Sequence, residues 1–297
     1  MLPLRNKLAV AARVRRVWTS GWVMAVLILI ACHAPAEPTP LRIGLTPIIA
    51  YDQVALIEDL RKYLAAKLGR PVEMIRRDSY RQAIDLLAND QLDCAWVSVY
   101  PYVYVRYNYN LRLLATPVYR GKPFFRGYLI VPAEDSATTS LLQLQGRIFA
   151  YADPYSFTGY LLPRFELHQA GKDATSFFAK TFFTKGHKRV VQAVAAGLAD
   201  GGFVDSYIWD TLAVTEPQLT AKTRVVEMSS LHGFPPLVAG RKLKDRDFAQ
   251  VRRVLIDMAA DSEGQQLLKR MSLDGFVAGD PKWYEEAARM MRAVGDI

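Results

Sequence analysis

The stretch Asp153-Pro154-Tyr155-Ser156-Phe157-Thr158-Gly159-Tyr160 places hydroxyl groups and a glycine where a helix should begin. A strand pattern, Gly146–Tyr151, leads into it, and a helix pattern, Tyr160–Leu167, leads out. The first turn of a helix has four backbone N–H groups without intrahelical partners and the positive end of the helix dipole. With added hydroxyl donors and a glycine that admits a ligand, such a turn can hold a small oxyanion. The alternative is an ordinary helix cap, in which the serine bonds back to a nearby amide.

On both sides of this stretch the sequence alternates between strand and helix patterns, as expected for parallel βαβ units. The long alternating segment Phe124–Val131 is interpreted as a crossing between lobes. Two amphipathic helices, at about 245–260 and 262–271, are predicted to finish the chain. The other strand patterns are Leu41–Leu45, Pro71–Ile75, Asp93–Val99, Leu111–Val118, Arg224–Met228 and Pro235–Ala239. The fold class is therefore α/β.

An internal repeat indicates two similar α/β lobes. Segments 80–98 and 187–205 share the order helix, short turn, aspartate, two small residues, aromatic residue, valine and polar residue. Tyr80 lies 13 residues before Asp93, and His187 lies 13 residues before Asp200. A chance match of two helix–turn–strand units is the alternative. Both aspartates are interpreted as turn residues without a ligand role.

The repeat brings polar side chains to the carboxyl ends of equivalent strands, where open α/β sheets bind ligands. Ser98 and Asp205 occupy that position, and His187 begins a helix at the same edge. The helix start and two tyrosines can face the same cleft. The candidate ligand-binding residues are Tyr51, Ser98, Tyr100, Ser156, Phe157, Thr158, Gly159, His187 and Asp205.

Each candidate also has a purely structural interpretation. His187 could only cap its helix, and Asp205 could cap the helix pattern Tyr207–Leu212. Tyr51 could belong to packing, and Tyr100 begins a tyrosine stripe at helical spacing, a pattern typical of packing. The convergence of the candidates, rather than any single residue, favours a binding site.

Residues 1–32 have the pattern of a bacterial signal peptide. Five basic residues precede ten apolar residues, Trp22–Ala31, too few to span a bilayer. The sequence Leu29-Ile30-Ala31-Cys32 resembles a lipobox, so we expect cleavage before Cys32 and lipidation of its thiol. Ordinary cleavage after Ala36 is the alternative. Residues 33–40 then form a short tether.

Charge and cysteine content exclude several classes of function. Cleavage before Cys32 removes five of the 38 basic residues and none of the 29 acidic ones, which lowers the formal net charge from +9 to +4. This balance, without a basic block, argues against a nucleic-acid partner. Only Cys94 remains besides Cys32, and the sequence has no His/Cys spacing typical of zinc. We therefore predict no metal and no cofactor.

Two motifs resemble the PhnD-like substrate-binding proteins of phosphonate, phosphite and phosphate ABC transporters. They are Asp153-Pro154-x-Ser156-x-Thr158-Gly159-Tyr160-Leu161-Leu162-Pro163 and His187-x-x-Val190-Val191-x-Ala193-Val194-x-x-Gly197-x-Ala199-Asp200-Gly201-Gly202. The resemblance covers roughly residues 41–270. It implies the type II periplasmic-binding-protein fold, with two α/β lobes, two crossing strands and a ligand cleft. Lobe 1 would comprise 41–128 and 229–297, and lobe 2 would comprise 129–228.

The resemblance also implies roles for individual residues. The hydroxyl-rich helix start holds the oxyanion in that family, and the lobes also supply a histidine, an acid and two tyrosines. These roles carry onto Ser156, Thr158, Gly159, His187, Asp205, Tyr51 and Tyr100. The chain departs from the family where Phe157 interrupts the small hydroxyls and where Gly186 replaces a serine. Phe157 could therefore shift specificity toward a more apolar ligand.

The leading hypothesis is a periplasmic, lipid-anchored, monomeric solute-binding protein. It would capture a small phosphorus oxyanion, namely a phosphonate, phosphite or phosphate, for an ABC permease. The alternative is a sensory lipoprotein of the same fold that signals through a membrane kinase or cyclase. An enzyme built on Ser156, His187 and Asp205 is disfavoured because no nucleophile elbow or metal set accompanies them.

We expect cells that express the full-length chain to attach labelled palmitate to the protein, because the Cys32 thiol is the acceptor. Cys32→Ser should abolish the label, and globomycin should cause the unprocessed precursor to accumulate. Metabolic labelling followed by gel analysis measures both effects. An unlabelled mature protein that begins near Glu37 would show ordinary cleavage instead.

Overall fold

The computed structural model describes residues 39–46, 54–77, 79–109 and 111–297, except for the side chains of Tyr107 and Asn108. The predicted signal peptide, the lipobox residue Cys32, the tether up to residue 38 and the candidate Tyr51 lie outside the described residues. All the described strands and helices belong to the compact unit Pro40–Ile297.

The described residues form thirteen strands in three sheets. The strands are β1 Leu41–Leu45, β2 Val72–Arg76, β3 Cys94–Trp96, β4 Arg112–Val118, β5 Phe124–Phe125, β6 Gly127–Pro132, β7 Ile148–Tyr151, β8 Lys180–Phe183, β9 Gly201–Asp205, β10 Thr223–Met228, β11 His232–Gly233, β12 Leu237–Ala239 and β13 Gly275–Val277.

The same residues form ten α-helices and one π-helical turn, Phe157–Leu161. The helices are α1 Val54–Leu68, α2 Tyr80–Ala88, α3 Val99–Tyr109, α4 Leu162–Gln169, α5 His187–Ala195, α6 Ser206–Thr215, α7 Pro217–Thr220, α8 Asp245–Asp257, α9 Ser262–Arg270 and α10 Glu285–Ala293. Short 3₁₀ turns at Leu141–Leu144, Met258–Ala260 and Pro281–Tyr284 complete the set.

The two larger sheets share one plan. The first has the strand order β13-β4-β12-β3-β1-β2, and the second has the order β10-β6-β9-β7-β8. Each contains three neighbouring parallel strands, β3-β1-β2 or β9-β7-β8. An antiparallel strand, β12 or β6, then pairs with β3 or β9. Both β3 and β9 are buried along their whole length, as expected for parallel strands covered by helices.

The repeat predicted from the sequence is present in the hydrogen bonds. The Asp93 carboxylate accepts from the Arg42 amide at 2.7 Å, and the Asp200 carboxylate accepts from the Ile148 amide at 2.8 Å. In each sheet an aspartate therefore satisfies an N–H near the start of the neighbouring parallel strand. Both aspartates have the structural role expected of turn residues.

The turns before these aspartates match as well. Asp90 has a φ of 56° and Gly197 has a φ of 68°, and each lies ten residues after the start of its helix. A residue in the left-handed region at this place ends a helix and redirects the chain into a strand. The two helix–turn–strand units therefore agree in backbone conformation and not only in composition.

The chain crosses between the two large sheets twice, after β5 and after β10. The prediction of one continuous strand over Phe124–Val131 is wrong, because the segment divides at Arg126 into β5 and β6. There the Arg126 carbonyl accepts from the Ser206 amide at 2.9 Å, and the Gly127 amide donates to Ser229 Oγ at 2.9 Å. The Gly127–Ser229 bond ties the two crossings together, and the Arg126–Ser206 bond ties the first crossing to the start of α6. β5 pairs with β11 beside them.

Three further expectations need correction. The strand predicted over Asp93–Val99 ends at Trp96, and α3 begins at Val99. Edge strand β8 has mostly exposed residues, so it lacks the burial pattern from which a strand is predicted. Helices α8 and α9 do not finish the chain, because β13 and α10 follow them. A three-residue strand is too short for alternation to reveal it.

We expect Asp200→Ala to lower the free energy of unfolding by about 1 kcal/mol, because the Ile148 amide loses its acceptor. Asp200→Asn keeps an acceptor oxygen and should retain most of the stability. Urea denaturation of the two variants and the unmodified protein measures the difference. Equal stability of all three proteins would contradict the proposed role of this bond.

Candidate ligand-binding site

Ser156 caps the helix start at Phe157–Leu161. Its Oγ accepts a hydrogen bond from the Gly159 amide at 3.1 Å. The next turn is π-helical, so the Leu161 amide reaches back to the Ser156 carbonyl at 3.1 Å. Pro163 follows in the first turn of α4, where a missing N–H breaks no intrahelical bond. Such π turns are frequent at functional sites.

Two amides of this turn are available to a ligand. No hydrogen bond from the Phe157 or Thr158 amide is present within the described part of the chain. Both residues are fully buried, and a buried N–H without an acceptor is unfavourable. The positive end of the helix dipole adds to the attraction for negative charge. The turn therefore combines two features that the sequence offered as alternatives. Ser156 caps the Gly159 amide, and two further amides have the donor arrangement of an anion site.

A buried network surrounds the turn. The Thr158 hydroxyl donates to Asp205 Oδ1 in a short hydrogen bond. His187 Nε2 lies 3.5 Å from Asp205 Oδ2 and 3.2 Å from Ser156 Oγ. Burial raises the pKa of Asp205, and its neighbours Thr158 and His187 partly oppose that rise. Four candidates from three parts of the sequence thus meet at one point.

The hydrogen bonds also define which nitrogen of His187 carries the proton. The Asp205 amide donates to Nδ1 at 3.3 Å, so Nδ1 is an acceptor and Nε2 carries the proton. That proton points toward the Asp205 carboxylate and Ser156 Oγ. His187 therefore lies at the centre of the network, with Nδ1 facing the Asp205 amide and Nε2 facing the Asp205 carboxylate and Ser156 Oγ.

Gly159 is required by close packing. A Cβ at this position would lie 2.4 Å from Ala152 Cβ, 3.0 Å from Ser156 Oγ and 3.1 Å from His187 Cε1. The first distance is shorter than any normal carbon–carbon contact, so even alanine would displace the strand end from the turn. The glycine thus lets the turn, the strand end and the histidine come together.

The Phe157 ring packs toward the crossing strands. Its centroid lies 4.8 Å from that of His232 and 6.2 Å from that of Phe125, and the side chain is fully buried. Phe157 therefore contributes its amide to the helix start, while its ring contacts β5 and β11. Sequence reasoning missed both contacts because no local pattern links residue 157 to residues 125 and 232.

The loop before the helix start contacts the other lobe. The Tyr155 hydroxyl accepts from Arg81 Nη1 at 3.0 Å. Burial raises the pKa of Asp153, and hydrogen bonds from the Tyr155 and Tyr80 amides partly oppose that rise. Arg81 and Tyr155 were not among the predicted site residues. Their partnership depends on two helix starts that face each other, which the sequence does not reveal.

Tyr100 and Ser98 lie in the lobe opposite the helix start. The Tyr100 ring meets the Tyr155 ring edge-on, with 5.7 Å between centroids. Burial and the nearby Asp296 carboxylate raise the pKa of Tyr100, so its hydroxyl keeps its proton and can donate. Ser98 is buried after β3, and its carbonyl accepts from the Tyr102 amide at 3.2 Å.

Two cavities lie beside the turn Tyr119–Lys122. They have volumes of about 610 and 210 Å³, and both are lined in part by Tyr119 and Arg120. Neither is lined by any predicted site residue. Across the described ranges, no cluster of three or more His, Cys, Asp or Glu side chains could hold a metal ion. Within those ranges, no helix is long and apolar enough to span a bilayer.

Two α/β lobes, two crossings and a helix start between the lobes define the type II periplasmic-binding-protein fold, as predicted. The chain belongs to the family described as "ABC transporter, phosphonate, periplasmic substrate-binding protein", which matches residues 43–284. The family predicted from the two motifs is therefore confirmed. This family consists of substrate-binding proteins and not of enzymes.

Relatives with known structures or names share this architecture. The chain is 25% identical to the phosphate-import protein PhnD of Mycolicibacterium smegmatis over 196 residues, which are 62% of this chain and 61% of that protein. It superposes with a TM-score of 0.80 on PhnD1 from Prochlorococcus marinus in complex with methylphosphonate, at 20% identity, covering 88% of this chain and 100% of that one. A binding protein of an ABC phosphonate transporter from Pseudomonas aeruginosa also gives 0.80, at 21% identity, covering 87% of each chain.

We expect Thr158→Val to lower the free energy of unfolding by about 1–3 kcal/mol, because the buried Asp205 carboxyl group loses a donor. Thr158→Ser keeps the hydroxyl and should lose much less. Urea unfolding at neutral pH measures both variants. Equal losses would show that the methyl group, rather than the hydrogen bond, stabilises the site.

Proposed function

We propose that this protein captures a small phosphorus oxyanion, such as a phosphonate, phosphite or phosphate, and delivers it to an ABC permease. The observation that carries the proposal is the pair of buried amides at Phe157 and Thr158. An oxyanion would supply the acceptors that these N–H groups lack and would interact favourably with the helix dipole. Family membership supports the same class of ligand.

The side chains beside the amides add donors and one acceptor. Ser156 Oγ already accepts from the Gly159 amide, so its own proton can go to a ligand oxygen. Asp205 can accept from a protonated ligand oxygen or a ligand amine. His187 holds Asp205 in place, because the Asp205 amide donates to its Nδ1 and its Nε2 lies 3.5 Å from Asp205 Oδ2. We assign the oxyanion to Ser156, Phe157, Thr158 and Gly159, with His187 and Asp205 beside it.

The opposite lobe would close over the ligand. Tyr100 supplies a hydroxyl that stays protonated, and Ser98 lies at the end of β3. We also propose Tyr51 as a ligand contact from this lobe. Because Ser156, Phe157 and Thr158 are fully buried, a ligand can reach them only when the lobes separate about the two crossings.

We propose 41–128 with 229–297 as lobe 1 and 129–228 as lobe 2. Sheet membership supports this division, because β6 to β10 form the second sheet. The remaining strands belong to the first sheet or to the β5–β11 pair. The predicted boundary at 128 falls within β6. We further propose a periplasmic, monomeric protein that is anchored to the membrane through a lipid on Cys32, on the basis of its leader sequence.

The sensory alternative has no specific support in the site. It was motivated by Phe157 and by the abundance of tyrosines. The Phe157 ring packs against His232 and Phe125, so it leaves the polar character of the helix start unchanged. We therefore retain transport as the proposed function.

We expect the purified protein to bind at least one of phosphate, phosphite, methylphosphonate and 2-aminoethylphosphonate in preference to sulfate. Thermal-shift screening followed by calorimetry measures this preference. Ser156→Ala removes a hydroxyl that would donate to the ligand, and Thr158→Ala removes the hydroxyl that donates to Asp205 beside the ligand. Each substitution should raise the dissociation constant by about 10- to 100-fold.

Thr138→Ala is the matched control. Thr138 is also a buried threonine that donates to a carboxylate, with its Oγ1 2.7 Å from Asp135 Oδ2, but it is not a candidate site residue. It should cost stability without changing affinity. Unchanged affinity in both Ser156→Ala and Thr158→Ala would refute the assigned site.

A further inference from the structure

The C-terminal segment Glu285–Ile297 bridges the two lobes. Its start is held by lobe 1 and the crossing region through the preceding residue, Tyr284. The Tyr284 hydroxyl donates to the Phe234 carbonyl at 2.9 Å and lies 3.0 Å from Thr116 Oγ1. Arg106 of α3 pairs with Glu285 at 2.6 Å. These contacts fix the beginning of α10 to lobe 1.

The far end of the same segment contacts lobe 2. Arg164 of α4 makes a two-pronged ion pair with Asp296, with Nη1–Oδ2 and Nη2–Oδ1 distances of 2.8 and 3.1 Å. Both side chains are largely buried, with 19% and 14% of their surface exposed. Arg289 also lies over the Phe165 ring, 5.1 Å from its centroid. A bidentate arginine–carboxylate pair has stricter geometry than a pair of point charges.

The turn after α10 directs the Asp296 carboxylate toward α4. Gly295 has a φ of 77°, a conformation that favours glycine, and the Asp296 amide donates to the Met291 carbonyl at 2.8 Å. The chain therefore folds back after the helix, and Asp296 reaches α4. Asp296 also lies near Tyr100, a candidate ligand contact of lobe 1.

We propose that Arg164 and Asp296 form a clasp that sets ligand affinity without touching the ligand, by holding the lobes in the binding arrangement. The proposal rests on the proposed function of the cleft. The clasp joins a segment anchored on lobe 1 to a helix of lobe 2, so it breaks when the lobes separate. A contact that exists only in the closed arrangement raises the population of that arrangement.

Loss of the clasp should weaken ligand binding. Part of the binding free energy of a ligand between the lobes is used to close them, so a less favourable closure lowers the observed affinity. Without the clasp, closure requires more of this free energy, so the observed affinity falls. Arg164→Gln isolates this effect, because it leaves Asp296 in place beside Tyr100. Arg81 and Tyr155 form a second bridge on the same side and should keep closure from failing completely.

The test compares Arg164→Gln, Asp296→Asn and the charge-reversed double variant Arg164→Asp/Asp296→Arg. Calorimetry with methylphosphonate and with inorganic phosphate should give dissociation constants about tenfold higher for each single variant. Small-angle scattering of the ligand-free variants should give a larger radius of gyration. The double variant should recover much of both properties, because it restores the ion pair in reverse.

Arg70→Gln is the matched control. Arg70 has the same 19% side-chain exposure as Arg164 and pairs with Asp247 at 3.2 Å, but both residues belong to lobe 1. This variant should lower thermal stability and leave the affinity and the radius of gyration unchanged. Single clasp variants that behave like Arg70→Gln would overturn the clasp while leaving the proposed function intact. If the unmodified protein binds neither probe, the same comparison is made with phosphite and with 2-aminoethylphosphonate. If it binds none of the four, the proposed function fails, and the scattering comparison alone then supports or overturns the clasp.

Discussion

The structure depends on the burial of a helix start between two lobes. The amides at a buried helix start need hydrogen-bond acceptors, and the protein supplies an acceptor to only some of them. Ser156 Oγ accepts from the Gly159 amide, whereas the Phe157 and Thr158 amides have no acceptor among the described residues. The surrounding network meets the other requirement, since a buried carboxyl group at Asp205 is tolerable only with donors such as the Thr158 hydroxyl. The groups that stabilise the turn are therefore the same ones to which we assign the ligand.

The duplicated plan of the two lobes carries unequal chemistry. The repeat sets His187 against Tyr80 and Asp205 against Ser98 at equivalent positions. Lobe 2 thus holds the titratable groups and the helix start, while lobe 1 presents tyrosines and a serine. On the proposed function, lobe 2 would hold the anion, and the hydroxyls of Tyr100 and Ser98 would face it from lobe 1.

Contacts between the lobes involve residues far apart in the chain. Arg81 meets Tyr155, and Arg164 meets Asp296. The second pair is partly buried and bidentate, which distinguishes it from the exposed ion pairs on helix surfaces. Both pairs join residues of different lobes within the polypeptide itself, and on the proposed mechanism they would bias the lobes toward the closed arrangement without contacting the ligand.

The α/β class, the repeat and the helix start with its hydroxyls and glycine could be predicted from the sequence, because they depend on local spacing and backbone preference. The aspartates before β3 and β9 were interpreted as turn residues for the same reason, and their hydrogen bonds agree with that role. The direction of the Phe157 ring, the break at Arg126 and the position of the last helix between the lobes became visible only in the folded chain. Those features arise from packing and hydrogen bonds between residues distant in sequence, for which no local pattern exists.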